Sequence, residues 1–259
     1  MNFGFVDGPA LALPLGALGL IFGSFVTALS YRLPRGESIV HGRSHCPACG
    51  HMLTAPDLVP VLSWVVQKGA CRHCRAKISG RYPAIEGLTM ALFVAAGFLA
   101  KDLAHLILLL AMTPPMVALA VIDLEHQKLP NTLLLVLAVL AVAWRWHGDQ
   151  ALWVGFVAAL LMGIVGLGLD AGYRAVAGKS GLGMGDTKLF ALTGLALPVG
   201  AFLLFLALAA TLGLAFGVIR RWLTGSSRFP FAPTILTAYW IVLAGADFFD
   251  QKLVMLSRG

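Results

Sequence analysis

All four cysteines of the chain stand in two pairs, Cys46-Pro47-Ala48-Cys49 and Cys71-Arg72-His73-Cys74. Two C-x-x-C knuckles offer four thiolates to one tetrahedral Zn²⁺, although the loop between them is slightly longer than the usual range. Four sulfurs fill the coordination shell and leave no open position for water or substrate, so the role this spacing implies is structural, and loss of the metal should unfold the segment. Two disulfides are the other reading, which a reducing compartment disfavours, and a redox C-x-x-C would need only one pair. His41, His45, His51 and His73 lie close enough in sequence to compete as ligands and are expected at the surface.

The second set of residues is acidic. Of twelve Asp and Glu residues, Asp123 ends the apolar run Val117-Ala118-Leu119-Ala120-Val121-Ile122, and Asp186 opens another after the glycine-rich Gly181-Leu182-Gly183-Met184-Gly185. An ionisable group beside hydrocarbon is costly unless paired or hydrated, which makes both functional candidates. Two facing carboxylates repel each other, and sharing a proton relieves the repulsion, so that one stays protonated while its neighbour is ionised. Such a pair polarises a water for attack on a peptide carbonyl, the ionised member taking a proton and the protonated member giving one; this is aspartic-protease chemistry, with apparent pKa values belonging to the pair. Plainer readings make Asp186 a helix N-cap and Asp123 an interfacial charge of the loop Leu124 to Pro130, where Glu125 is a rival carboxylate. The glycine run lacks the GK[ST] ending of a phosphate loop and follows no strand; Gly183 and Gly185 instead let an extended peptide come close to Asp186.

The elements that must position these groups are membrane helices. The 259 residues are 59% hydrophobic and 12% charged, against about a quarter charged in an ordinary soluble domain. Hydropathy places spans near 10–31, 84–100, 102–122, 131–147, 151–169, 187–197, 199–219 and 230–248. Alternating them puts most of the 19 basic residues on one side, in 32–83, 123–130, 170–186 and 220–229. The positive-inside rule makes that side cytoplasmic, with both termini outside. Residues 1–9 carry no basic residue, so the first apolar stretch is expected to stay as a span and not to be removed as a signal peptide. The expected fold is an all-α membrane protein of about eight transmembrane helices: a first span in 1–31, a cytoplasmic zinc-binding insertion in 32–83, and a seven-helix membrane domain in 84–259. The net charge of +7 does not indicate nucleic acid, because the basic residues form no run interleaved with aromatics; lipid is the expected surrounding.

Taken in order, these motifs resemble the prepilin peptidases, or type IV leader peptidases, over nearly the whole chain. The resemblance is carried by Phe22-Gly23-Ser24-Phe25, Tyr31-Arg32-Leu33-Pro34, both cysteine pairs and Pro60-Val61-Leu62-Ser63-Trp64. Further along, it rests on Ile78-Ser79, Arg81-Tyr82-Pro83 with Glu86, Asp123 with Leu129-Pro130, and Gly183-Met184-Gly185-Asp186 with Lys188-Leu189. The chain departs from the family pattern at Thr27, Leu58, Asn131 and Ala232. The resemblance implies that Asp123 and Asp186 are the catalytic pair of a GxGD membrane aspartic protease whose loop is shaped by Gly183 and Gly185. It also implies cleavage of the basic leader of type IV prepilins or type II secretion pseudopilins at the cytoplasmic face of the inner membrane, and methylation of the new N-terminus from S-adenosylmethionine. From another class, a non-enzymatic ion or metal transporter would use the aspartates as ligands, but transporters hold such sites near the bilayer midplane.

Overall fold

Within lipid a backbone can satisfy its own hydrogen bonds only as a helix or a closed barrel, and this chain takes the first course. The computed structural model describes residues 8–39, 41–42, 44–148, 150–178, 182–224 and 230–256. Among them there is no strand, only the isolated bridges His45 with Met52 and Ala70 with Lys77. The helices are α1 (Gly8–Arg32), α2 (Leu62–Val66), α3 (Arg81–Leu99), α4 (Leu103–His126), α5 (Asn131–His147), α6 (Leu152–Ala177), α7 (Met184–Ala196), α8 (Phe202–Thr224) and α9 (Ala232–Leu256). All but α2 fall on the eight expected spans. Five of them, α1, α3, α4, α6 and α8, are long and apolar enough to cross a membrane; α5, the 13-residue α7 and the 232–245 part of α9 are shorter.

The chain divides into two compact units, Met1–Lys101 and Asp102–Gly259. In the first, α1 lies along α3. The contact is close enough that a Cβ on Gly23 would sit 2.6 Å from the Glu86 backbone, so only glycine fits there. Arg32 to Arg35 end α1 in a tight turn closed by Gly36 at φ 70°, and the insertion follows before α3 returns.

In the second unit α7 is the hub, touching α5, α6 and α9, while α4 packs on α5 and α9. α4 is the most buried of the long helices. Arg145, 2% exposed, reaches from α5 to the end of α7 and donates Nε to the Leu195 carbonyl at 2.5 Å and Nη2 to that of Leu197 at 2.8 Å. These are carbonyls that a helix leaves unpaired at its C-terminus, and a cation there suits the helix dipole. Two boundaries differ from expectation. α4 continues through Asp123 to His126 because nothing breaks it before Gln127 turns left-handed at φ 52°. α6 continues to Ala177, ended by Gly178 at φ 69°, so Asp170 belongs to a helix and not to the loop.

Candidate active site

Asp123 occupies the last turn of α4 and is 6% exposed; it is a buried side chain, not a charge in a surface loop, whereas Glu125 is exposed. Its Oδ2 accepts the N–H of Ala232 at 3.1 Å. That N–H opens α9, so the carboxylate meets the positive end of a helix dipole. Asp186 lies in the first turn of α7, half-buried, with Gly183 as N-cap. It is therefore the third helical residue and not the cap itself, because the helix already starts at Met184. Its Oδ2 accepts the Gly183 N–H at 3.1 Å, while Oδ1 is buried with no hydrogen-bond partner among the described residues.

The two aspartates are held near each other by contacts between the segments that carry them. A Cβ on Gly185 would come within 3.1 Å of the Leu129 side chain, so the glycine loop rests on the segment following Asp123. Lys188 donates to Asn131 Oδ1 at 3.0 Å, tying α7 to the start of α5. The charges of Asp123 and Asp186 act on each other, and Arg220 of α8 also acts on Asp123. Gly183 has an ordinary φ of −71°; its contribution is an N–H given to Asp186 and a bare Cα beside that carboxylate.

In the other unit the four cysteine sulfurs lie within 4.8 Å of one another, with Cys46 and Cys74 at 3.9 Å. Zn–S bonds of about 2.3 Å in a tetrahedron put sulfurs about 3.8 Å apart, so the four residues fit one metal ion. The knuckles repeat each other in hydrogen bonding as well as in sequence. Cys46 and Cys71 receive N–H groups on their carbonyls from Gly50 and Arg75, and both of those residues have left-handed backbones, at φ 70° and 62°. Cys46 and Cys71 are buried while Cys49 and Cys74 are exposed. Backbone N–H groups of Cys74 and His73 bring the Cys71 thiol down to about 7, while burial and the neighbouring Cys74 and Cys46 sulfurs push the Cys49 thiol up to about 11, so the four sulfurs do not ionise alike. The four nearby histidines are all exposed, His51 and His73 stacked on each other at 4.6 Å.

The same unit holds a cavity of about 850 Å³ lined in part by Tyr31, Trp64, Tyr82 and Glu86. Next to Glu86 in the fold the Leu62 N–H donates to the Pro60 carbonyl at 2.5 Å around Val61, whose φ of 58° and ψ of −51° make a positive-φ γ-turn. A β-branched residue there stores roughly 1–3 kcal/mol of strain. Glu86, 7% exposed, holds the turn by accepting the Val61 N–H at 2.7 Å.

An all-α membrane protein with a helix-end pair of aspartates and a separate tetracysteine knuckle is the class that fold and sites define. Residues 107–218 match the type IV leader peptidase family, and residues 17–99 match the bacterial peptidase A24 N-terminal domain. The chain is 33% identical to the "Type 4 prepilin-like proteins leader peptide-processing enzyme" of Escherichia coli O78:H11, over 84% of this chain and 87% of that protein. It is 36% identical to the "Prepilin leader peptidase/N-methyltransferase" of Myxococcus xanthus (84% and 65%) and 34% identical to the protein of that name in Bacillus subtilis (84% and 87%). No solved structure gives a significant match. The chain belongs to the type IV leader peptidase family.

Two contributors escaped the sequence. Ala232 stands out there only as a departure from the family pattern, with nothing to mark its N–H as a donor, and Arg220 is one basic residue among many.

Proposed function

We propose that this protein cleaves the basic leader from type IV prepilins or type II secretion pseudopilins, with Asp123 and Asp186 as the catalytic pair. What carries the reading is the placement of two carboxylates, distant in sequence, at one end of α4 and α7 within reach of each other's charge. The ionised member takes a proton from water as its oxygen attacks the scissile carbonyl, and the protonated member gives one to the leaving amine. The Ala232 and Gly183 N–H groups hold one oxygen of each carboxylate, leaving the others for water and substrate. Gly183 and Gly185 keep the approach to Asp186 free of side chains. The basic loops support a site at the cytoplasmic face of the inner membrane, where a prepilin helix would lie in lipid and its leader in water, with both termini of the enzyme outside.

The tetracysteine insertion, 32–83, is a structural zinc domain, with Cys46, Cys49, Cys71 and Cys74 as ligands. The relatives' names pair the peptidase with an N-methyltransferase. S-adenosylmethionine would supply an electrophilic methyl group for the new N-terminal amine. The cavity lined by the insertion suits such a donor: Tyr31, Trp64 and Tyr82 give it aromatic walls and Glu86 adds a carboxylate, a lining that fits an adenine and a sulfonium cation. A non-enzymatic ion or metal transporter gains no support from the relatives, and both aspartates lie in end turns and not at mid-helix.

The test is to incubate purified protein with a prepilin, with and without S-adenosylmethionine, and read product masses. Leader loss in both, with one methyl group added only in the second, is expected. D123N and D186N should each lower cleavage by roughly 10³-fold or more with metal content unchanged. Full cleavage by either variant would remove that residue from the pair.

A further inference from the structure

From Leu152 to Leu169, α6 is apolar without interruption, and a charge in such a helix persists only where it is partnered. Asp170 is 7% exposed with both oxygens engaged. Oδ2 meets Arg174 one turn later at 2.5 Å, and Oδ1 accepts the N–H of Leu182 at 3.0 Å. The next N–H along the chain, that of Gly183, is the one given to Asp186 at 3.1 Å. Two consecutive amides therefore join two carboxylates, Asp170 behind the loop and Asp186 in front of it.

The ion pair does not account for this placement. The Arg174 side chain is 61% exposed against 10% for Asp170, and a pair with one partner in water contributes little, too little to justify a carboxylate on a buried helix face. The loop contact does account for it. A glycine-rich segment loses more conformational freedom on ordering than any other, and a loop that carries a reacting group needs a fixed point on a rigid element.

We propose that Asp170 is a positioning residue for Asp186: its carboxylate pins the entrance of the glycine loop and so fixes where the Asp186 carboxylate stands relative to Asp123. This rests on the reading of Asp186 as catalytic. A misplacement of about 1 Å costs on the order of 10²-fold in rate. Asn at 170 keeps an oxygen for the Leu182 N–H; Leu at 170 removes the acceptor while suiting an apolar helix.

The experiment measures kcat and KM for cleavage of a purified type IV prepilin in detergent by D170L, D170N and D186N, with monodispersity as the check on folding and D170A in reserve should leucine not fit. D170L is expected to lose about 10- to 100-fold in kcat with KM within about twofold, and D170N to stay within about threefold of the parent. D170L keeping more than half of its kcat, or D170N falling as far as D170L, overturns the proposal. A D186N variant that cleaves normally would instead overturn the reading of Asp186, so the two failures are distinguishable.

Discussion

The insertion and the aspartate site solve one problem, fixing a few reactive side chains, by opposite means. In the insertion every ligand comes from two short knuckles of local hydrogen bonds, two of the four cysteines are exposed, and none of its described residues outside the cysteines forms a sizeable core. A segment of that size needs a staple, and on the proposed reading a metal held by the four cysteines would serve as one. In the second unit the fixed points come from remote segments. Asp123 is held by an amide 109 residues away, Asp186 stands on a loop that rests on Leu129, and Arg145 closes the far end of the helix that carries it. A metal-held site is legible from spacing and fails all at once; a packing-held site is legible only in part and degrades by degrees.

That contrast is broken first at the cysteines. Replacing any of the four by serine should take metal content from one equivalent to almost none and leave the insertion open to protease, the exposed Cys49 as damaging as the buried Cys46, because a four-sulfur shell tolerates no vacancy. Acid should do the same, since protons compete with the metal for thiolates. Metal analysis across the four variants checks this; a Cys49 variant that keeps its metal contradicts it.

Graded loss is expected at the other site. G185A puts a methyl group 3.1 Å from Leu129, and G185V more, so the loop must shift by a few tenths of an ångström or further. Peptidase kcat should fall about tenfold for alanine and further for valine, with metal content untouched. Equal activity in all three proteins would show that the contact does not set the position of Asp186.

The smallest effect concerns Asp57 in the insertion. Its carboxylate accepts from the Thr54 hydroxyl at 2.7 Å and the Thr54 N–H at 3.1 Å, and meets Arg72 at 3.4 Å; the Thr54 hydrogen bonds, before anything else, hold it below the usual carboxylate range. A lowered value means stability that is present above about pH 4 and lost as the pH falls through the folded-state value. D57N should therefore cost about 1 kcal/mol at neutral pH, and the deficit should narrow as the pH falls toward the folded-state value, over the range in which the metal is retained. Thermal unfolding at several pH values measures it; a deficit constant with pH would deny the ionic origin.

Much of this was legible in the sequence for a physical reason. Cysteine spacing is local, and an acidic residue in an apolar run stands out because lipid makes it costly, so both sites announced themselves. The eight helices followed from hydropathy. What stayed hidden depended on chain geometry. Hydropathy ends a span at Ile122 and puts Asp123 just beyond it, whereas α4 carries Asp123 inside a helix because no residue before Gln127 stops it. The apolar count likewise ends at Leu169 and leaves Asp170 to a loop, although the rule that singles out the other two aspartates applies equally to it. The donor to Asp123 is a backbone amide, and no residue type advertises that.

The central claim, that Asp123 and Asp186 work as one unit, is tested most directly by a double-mutant cycle of prepilin cleavage with D123N, D186N and the pair combined. Residues that act together lose their effect together. The combined variant should be no slower than the slower single one, each near the background rate. Losses that multiply, or a single variant that cleaves at the parent rate, would contradict a shared site.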